Sequence, residues 1–177
     1  MPKVDVIDWQ MSIQYSWSAK TKEKVVNNLY QVSEYGTKLL ISCIDGTMLR
    51  EMISSSNSPN LTFKTSIDTT TTFTHIDDSM YQVVTGDRKL NEFYVDNDAL
   101  VQDLANRGFM LISSGDFFDM ISRSEKFFDQ LYLLETQEST KKFFTLVAST
   151  KINNTLFQET LKYCKLIKYY YFIRLIK

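Results

Sequence analysis

The sequence predicts an α/β fold with antiparallel strands in its second half. Three features predict it. A strand, a helix and a second, continuously apolar strand fit within the first 44 residues; short threonine- and aromatic-rich segments fill 61–95; helix and strand alternate again from residue 96.

Val4, Val6 and Ile7 make a short apolar strand that runs into VIDWQMSIQYSW, a stretch crowded with amides and aromatic rings. Ser18 or Thr21 can cap a helix in which Val25, Val26, Leu29, Tyr30 and Val32 recur at helical spacing, with Gly36 as its expected stop. Residues 38–44 (KLLISCI) are apolar without alternation, as expected of a strand buried on both faces. Strand, helix and buried strand form a βαβ unit with parallel strands.

A short helix over 47–53 and the loop SSSNSPN over 54–60 come next. Strands are then expected at 61–67, 70–76, 81–85 and 92–95, where β-branched and aromatic residues alternate with turn residues. Asp96 or Asn97 caps a helix through Asn106 that Gly108 closes, and Phe109 opens another strand. A helix over 116–134, a further helix over 138–149 and a strand from Tyr163 onward complete the reading, with Asp116, Asp119 and Glu125 on a solvated helix face.

The 177 residues suffice for one domain with a real core, and 44% apolar content places the chain among globular proteins. A net charge of −1 supplies no global basic field, so nucleic-acid contacts must be local or come from another segment. Cys43 and Cys164 read as reduced core cysteines of a cytosolic protein. Nothing resembles a secretory signal. The tail KYCKLIKYYYFIRLIK carries too many basic residues for a bilayer span and reads as sheet, with a basic membrane-surface helix as the alternative. The five glycines form neither a GxGxxG nor a P-loop spacing, and no set of residues has metal-ligand spacing. His75 is the single histidine and carries no assigned role.

In open α/β sheets ligands bind beyond the carboxyl ends of the parallel strands, which directs attention to residues 10–17. Asp8-Trp9-Gln10-Met11-Ser12-Ile13-Gln14-Tyr15-Ser16-Trp17 resembles the (D)xQFxxHYxF signature of the mRNA cap (guanine-N7) methyltransferases, in particular the methyltransferase part of poxvirus-like and other large DNA-virus capping enzymes. Asn27-Asn28-Leu29 followed by 38–46, ending in Asp45-Gly46, is similar to that family's NNLS…DG segment. Glu92 falls where the family carries an acidic residue before a helix. Asn106-Arg107-Gly108-Phe109-Met110-Leu111, Asp116-Phe117 and Ser124-Glu125-Lys126-Phe127 resemble its xxGFxLV…DF…SKKF run. The motifs lie in order over nearly the whole chain.

The resemblance implies the C-terminal portion of a class I S-adenosylmethionine-dependent (Rossmann-like) methyltransferase sheet, and methyl transfer to N7 of the guanine cap. Gln10 and Met11 would flank the cofactor. Gln14 and Tyr15 would border the guanine, Glu92 would accept from its N1 and N2 hydrogens, and Tyr170, with Tyr169 close behind, would approach the base. Each residue also has a plain reading: the glutamines as strand-end caps, Tyr15 and the tryptophans as core, Glu92 as surface.

Two departures fall inside the signature, Met11 for phenylalanine and Gln14 for histidine. The larger departure is at the front: the family's glycine-rich turn and acidic residue lie upstream of the signature, where this chain has about nine residues. Residues 1–177 are therefore expected to be one partial domain lacking the N-terminal cofactor-binding strands, and inactive alone. Three explanations stand open: a split enzyme whose partner segment supplies the front half, an inactive relic, or a noncatalytic cap- or RNA-binding or stimulatory module. The expected partner is the capped mRNA 5′ end, with no membrane; the expected compartment is the cytoplasm, as viral factory or virion if viral.

Overall fold

The computed structural model describes residues 2–64, 69–123 and 155–175. Two four-stranded sheets organise them. The first contains β1 (Val4–Gln10), β2 (Ser33–Ile44), β7 (Phe109–Asp116) and β8 (Ile167–Arg174) in the order β1-β2-β8-β7. β1 and β2 are parallel, joined by helix α1 (Lys22–Val32), as the βαβ reading requires. β8 is antiparallel to both β2 and β7. β1, β2 and β7 therefore share a direction, and their carboxyl ends meet at one edge.

The second sheet is an antiparallel meander of β3 (Asn60–Lys64), β4 (Thr70–His75), β5 (Met80–Thr85) and β6 (Arg88–Phe93). Its threonines bond across strands, Thr62 to Thr72 and Thr71 to Thr85, each at 3.0 Å. The expected helix near 47–53 is α2 (Gly46–Ser55), and Asp45 caps it by accepting from the Met48 N–H at 2.9 Å. Asp96 caps α3 (Asn97–Ala105) in the same way, from the Ala99 N–H at 2.8 Å. Gly108 follows at φ +81°, a left-handed position that suits glycine.

The last meander strand, expected at 92–95, runs Arg88–Phe93 instead, and three further expectations change. α1 ends at Val32 rather than at Gly36. The buried Arg174 donates to the carbonyls of Tyr30 and Ser33 at 2.6 and 2.7 Å and lies over the Tyr30 ring, so a cation from β8 closes the helix. β2 consequently starts at Ser33, and Gly36 (φ +88°) serves a register slip in which Val4 pairs with Ser33 but Val6 with Lys38. Secondly, Tyr163 is helical: α5 (Thr155–Leu166) precedes β8. Lys162 and Lys165, three apart and both exposed, mark a helical face rather than a strand. Thirdly, Asp116 is half-buried, accepts from the Asp119 N–H at 2.7 Å at the start of α4 (Phe117–Arg123), and faces Lys168. The remainder of the 116–134 helix, the 138–149 helix, Ser124 to Phe127 and the end of the 61–67 strand lie outside the described residues.

Two cores hold this arrangement. α1 and α3 cover one face of the first sheet around Val26, Leu29, Leu39, Ile41, Leu100 and Phe172. α2 and α5 pack against the meander through Leu49, Ile53, Phe63, Phe73, Tyr81 and Leu166. Side chains such as Leu39 and Phe172, fully buried, each stabilise the fold by about 1.5–3 kcal/mol relative to exposure. Among the described residues no helix is long and apolar enough to cross a membrane.

Candidate functional site

The site begins where β1 ends. Met11 takes φ +47°, a left-handed conformation rare for a side chain of its size, and its N–H bonds the Ser42 carbonyl at 2.8 Å. That turn ends pairing with β2 and throws a 3₁₀ turn, Ile13–Tyr15, toward β6 of the second sheet. Ile13, fully buried in the first core, pins the turn. Backbone strain of this kind persists only where surrounding structure holds it.

Gln14, buried, donates from Nε2 to the Met11 carbonyl at 2.9 Å. Because that carbonyl can only accept, the amide's orientation is assigned. Its Oε1 is buried without a hydrogen-bond partner, an unusual cost for a folded protein. Glu92 lies on β6 and is only 4% exposed. It sits directly across from Tyr81 on β5, whose hydroxyl donates to Glu92 Oε2 at 2.6 Å. Tyr15, 46% exposed, stands on the wall beside the same carboxylate.

Met11, Gln14, Tyr15 and Glu92 thus share one hollow of about 240 Å³, with Arg88 and Tyr163 also on its wall. That volume is below the roughly 300–1,000 Å³ of pockets enclosing a drug-sized ligand, and suits a single flat ring system. Its chemistry is mixed: a carboxylate acceptor, a phenol, an amide, one guanidinium and apolar walls.

Burial raises the Glu92 pKa, and the polar groups of Tyr81, Tyr15 and Gln14 only partly pull it back. Burial also pushes Tyr15 up to about 12, assisted by Glu92 and its negative charge. The folded chain therefore holds the Glu92 proton more tightly than the unfolded chain does, whose carboxyl has its ordinary value of 4.5. Ionisation of Glu92 costs no stability below that value and its full cost above the raised one. Glu92→Gln is expected to raise Tm by about 2 °C at pH 8, the gain vanishing near pH 4, as measured by thermal unfolding across pH.

Two predicted site residues lie elsewhere. Gln10 pairs with Ser42 in the ladder, and its amide donates to Asp8 at 2.5 Å, so it does not line the hollow. Tyr170 is buried in the first core beside Phe172 and donates to Asn97. It borders a separate hollow of about 450 Å³ with Asn97, Gln102 and Lys168. Alternation along β8 turns Tyr170 toward α3; the tyrosine that reaches the Glu92 hollow is Tyr163, one element earlier on α5. Tyr163, Tyr81 and Arg88 were not singled out by sequence. The helical spacing of Lys162 and Lys165 would have relocated the first; Tyr81 reads as an ordinary strand aromatic.

Lys168 Nζ lies 3.9 Å from both Asp45 and Asp116, between the carboxyl ends of β2 and β7. Cys43 and Cys164 are both free thiols, and burial pushes Cys43 up to about 12.

The fold is similar to that of solved S-adenosylmethionine-dependent methyltransferases. An S-adenosylmethionine-dependent methyltransferase from Clostridium acetobutylicum superposes with a TM-score of 0.56 at 8% identity, covering 99% of this chain and 60% of that one. The CcbJ methyltransferase from Streptomyces caelestis gives 0.52 at 8% identity, covering 98% and 61%. In sequence, the chain is similar to the mRNA-capping enzyme catalytic subunit of fowlpox virus, 29% identical over 147 residues. That match spans 81% of this chain but 17% of the fowlpox subunit. The capping-enzyme resemblance read from the ordered motifs therefore holds. No protein-family profile matches the chain.

Proposed function

We propose that the Glu92 hollow receives the guanine of a capped mRNA 5′ end, and that the chain forms the guanine-facing part of an mRNA (guanine-N7) methyltransferase within a capping enzyme. The observation that carries this reading is the meeting of Gln14 and Tyr15, from the 3₁₀ turn after β1, with Glu92 of β6 in one base-sized hollow. Similarity to the fowlpox capping subunit supports it.

The chemistry asks little of acids or bases. Guanine N7 is itself a nucleophile, so orientation and a suitable field are what a protein must supply. Glu92 accepts from N1–H and the 2-amino group, fixing the ring's rotation, and its negative charge favours the positive charge that N7 acquires. Tyr15 and Tyr163 offer faces and edges to the ring, and Arg88 a cation to the phosphates beyond it.

S-adenosylmethionine, as proposed cofactor, would supply a methyl group already bound to a good leaving group. Met11, at the turn that ends β1, would form one wall of its site. The five glycines form no glycine-rich turn, so the greater part of that site would come from another segment, of the same polypeptide or of a partner. β1 is the outermost strand of its sheet, and Val4 and Val6 are exposed along it. A parallel edge of this kind suits the addition of a further strand.

Two results test the proposal. The 177-residue chain, given S-adenosylmethionine and capped RNA, is expected to show no methylation until a segment carrying the glycine-rich turn is added. Robust methylation by the chain alone would end the division of labour proposed here. Tyr15→Ala is expected to weaken cap-analogue binding about tenfold, read by tryptophan fluorescence; unchanged affinity would place the ligand elsewhere.

A further inference from the structure

Tyr81 lies outside the hollow, yet it makes the shortest contact to the side chain on which guanine recognition turns. It is 1% exposed, its ring packs against Phe73 and Tyr94 with centroids 5.8 and 5.0 Å away, and its hydroxyl ends 2.6 Å from Glu92 Oε2. Its partner is set by the ladder, since Tyr81 and Glu92 are register neighbours on β5 and β6. Tyr15, by contrast, is half exposed and belongs to the hollow's wall.

We propose that Tyr81 is a positioning residue for base recognition: its phenol permanently engages one oxygen of Glu92 and fixes the carboxylate's plane, so that the rest of its acceptor capacity faces the ligand. The functional meaning rests on the guanine reading above. A carboxylate in a hollow can rotate and can take up a proton, and either would replace an acceptor by a donor where guanine N1–H must bind. A phenol donor anchored in a packed aromatic core opposes both, and its rigidity comes from rings that cannot shift without opening the second core. Tyr15, on the exposed wall of the hollow, can move for a ligand without disturbing that core.

The groups facing Glu92 are few. From β5 there is Tyr81, from the 3₁₀ turn Tyr15 and the Gln14 amide, from α5 Tyr163, and from β6 Arg88 on the rim; Cys43 of β2 lies within electrostatic reach of Tyr81. The Tyr81 bond lowers the Glu92 pKa against the opposing effect of burial.

Tyr81→Phe keeps the ring and removes the donor. In the ligand-free chain, NMR titration of the Glu92 carboxyl carbon, assigned with Glu92→Gln, is expected to show the midpoint moving upward in the variant. GTP affinity should then fall about tenfold at the acid end of the profile and about twofold at the alkaline end. A purely structural role would lower Tm without moving either profile, and an unmoved midpoint would overturn the proposal. The wild-type chain gives an independent reading: the Tyr81 hydroxyl proton is expected to exchange slowly and to shift as Glu92 titrates, and a freely exchanging hydroxyl indifferent to Glu92 would equally overturn it. Failure of the wild-type chain to bind any guanine nucleotide would instead overturn the guanine reading, while the titration still decides Tyr81's hold on Glu92.

Discussion

Glu92→Ala is expected to weaken binding of a guanine nucleotide about a hundredfold, close to 2.7 kcal/mol. The magnitude follows from what is removed. A buried carboxylate accepting from two adjacent N–H groups makes two charge-assisted bonds, each contributing about 1.5–3 kcal/mol, and no neighbouring group can move into its place. Truncation also leaves the Tyr81 hydroxyl buried without its acceptor, 2.6 Å from an oxygen that no longer exists. Part of any loss in Tm therefore comes from Tyr81 and not from the ligand site. Glu92→Gln separates the two: it preserves shape, relieves the cost of burying a charge, and still loses affinity because its amide can present a donor against N1–H. The measurement is calorimetric titration with GTP and with a cap analogue at fixed salt and pH 8. Loss of binding in Glu92→Ala with Tm higher in Glu92→Gln than in wild type would match a residue retained for recognition at the expense of stability. Equal affinity in all three chains would remove Glu92 from the site.

How much of this was readable beforehand depends on the range of the forces involved. The βαβ unit was readable because its signals are local: the 3.6-residue spacing from Val25 to Val32 and the unbroken apolar run ending at Ile44. The first three strands of the meander were readable because β-branched residues and turn residues alternate over short distances; the last, Arg88–Phe93, was expected at 92–95 because its first four residues are polar or charged apart from Leu90. The end of α1 was not, since the cation that closes it is Arg174, in the last strand of the fold. The same holds for the site. Gln14, Tyr15 and Glu92 could be named because two motifs placed them, but only tertiary structure brings the 3₁₀ turn against β6. Tyr170 and Tyr163 show the converse. A tyrosine near the carboxyl end was expected at the base, yet which tyrosine depends on where helix gives way to strand, and element boundaries are weakly encoded locally. Tyr81 was invisible because its role is defined entirely by its cross-strand partner.

The largest effect on the fold is expected from Gly46→Ala, about 3 kcal/mol or more of destabilisation. Gly46 follows the Asp45 cap at the carboxyl end of β2, and its N–H bonds the Val95 carbonyl at 3.0 Å. A methyl group there would lie 2.6 Å from Val95 N and 2.7 Å from Val95 O, distances that real Cβ atoms do not adopt. The opposing atoms are backbone, so no side chain can swing aside. Either α2 moves off or the segment from Tyr94 to Asp96 does, and that segment leads directly out of β6, which carries Glu92. Asp96 also accepts from Thr47 at 3.2 Å, so the start of α3 is tied to the same corner. The crossing of these two chain segments is thus the joint that sets the meander against the parallel edge, and with it the distance between the 3₁₀ turn and Glu92. Thermal unfolding should show a fall in Tm of about 6–12 °C. Below the transition, the folded fraction should also bind GTP less tightly than wild type, although Gly46 touches nothing in the hollow. A Gly46→Ala chain with reduced Tm but unaltered affinity would mean that the strain is absorbed by α2 alone, and that the corner does not govern the site.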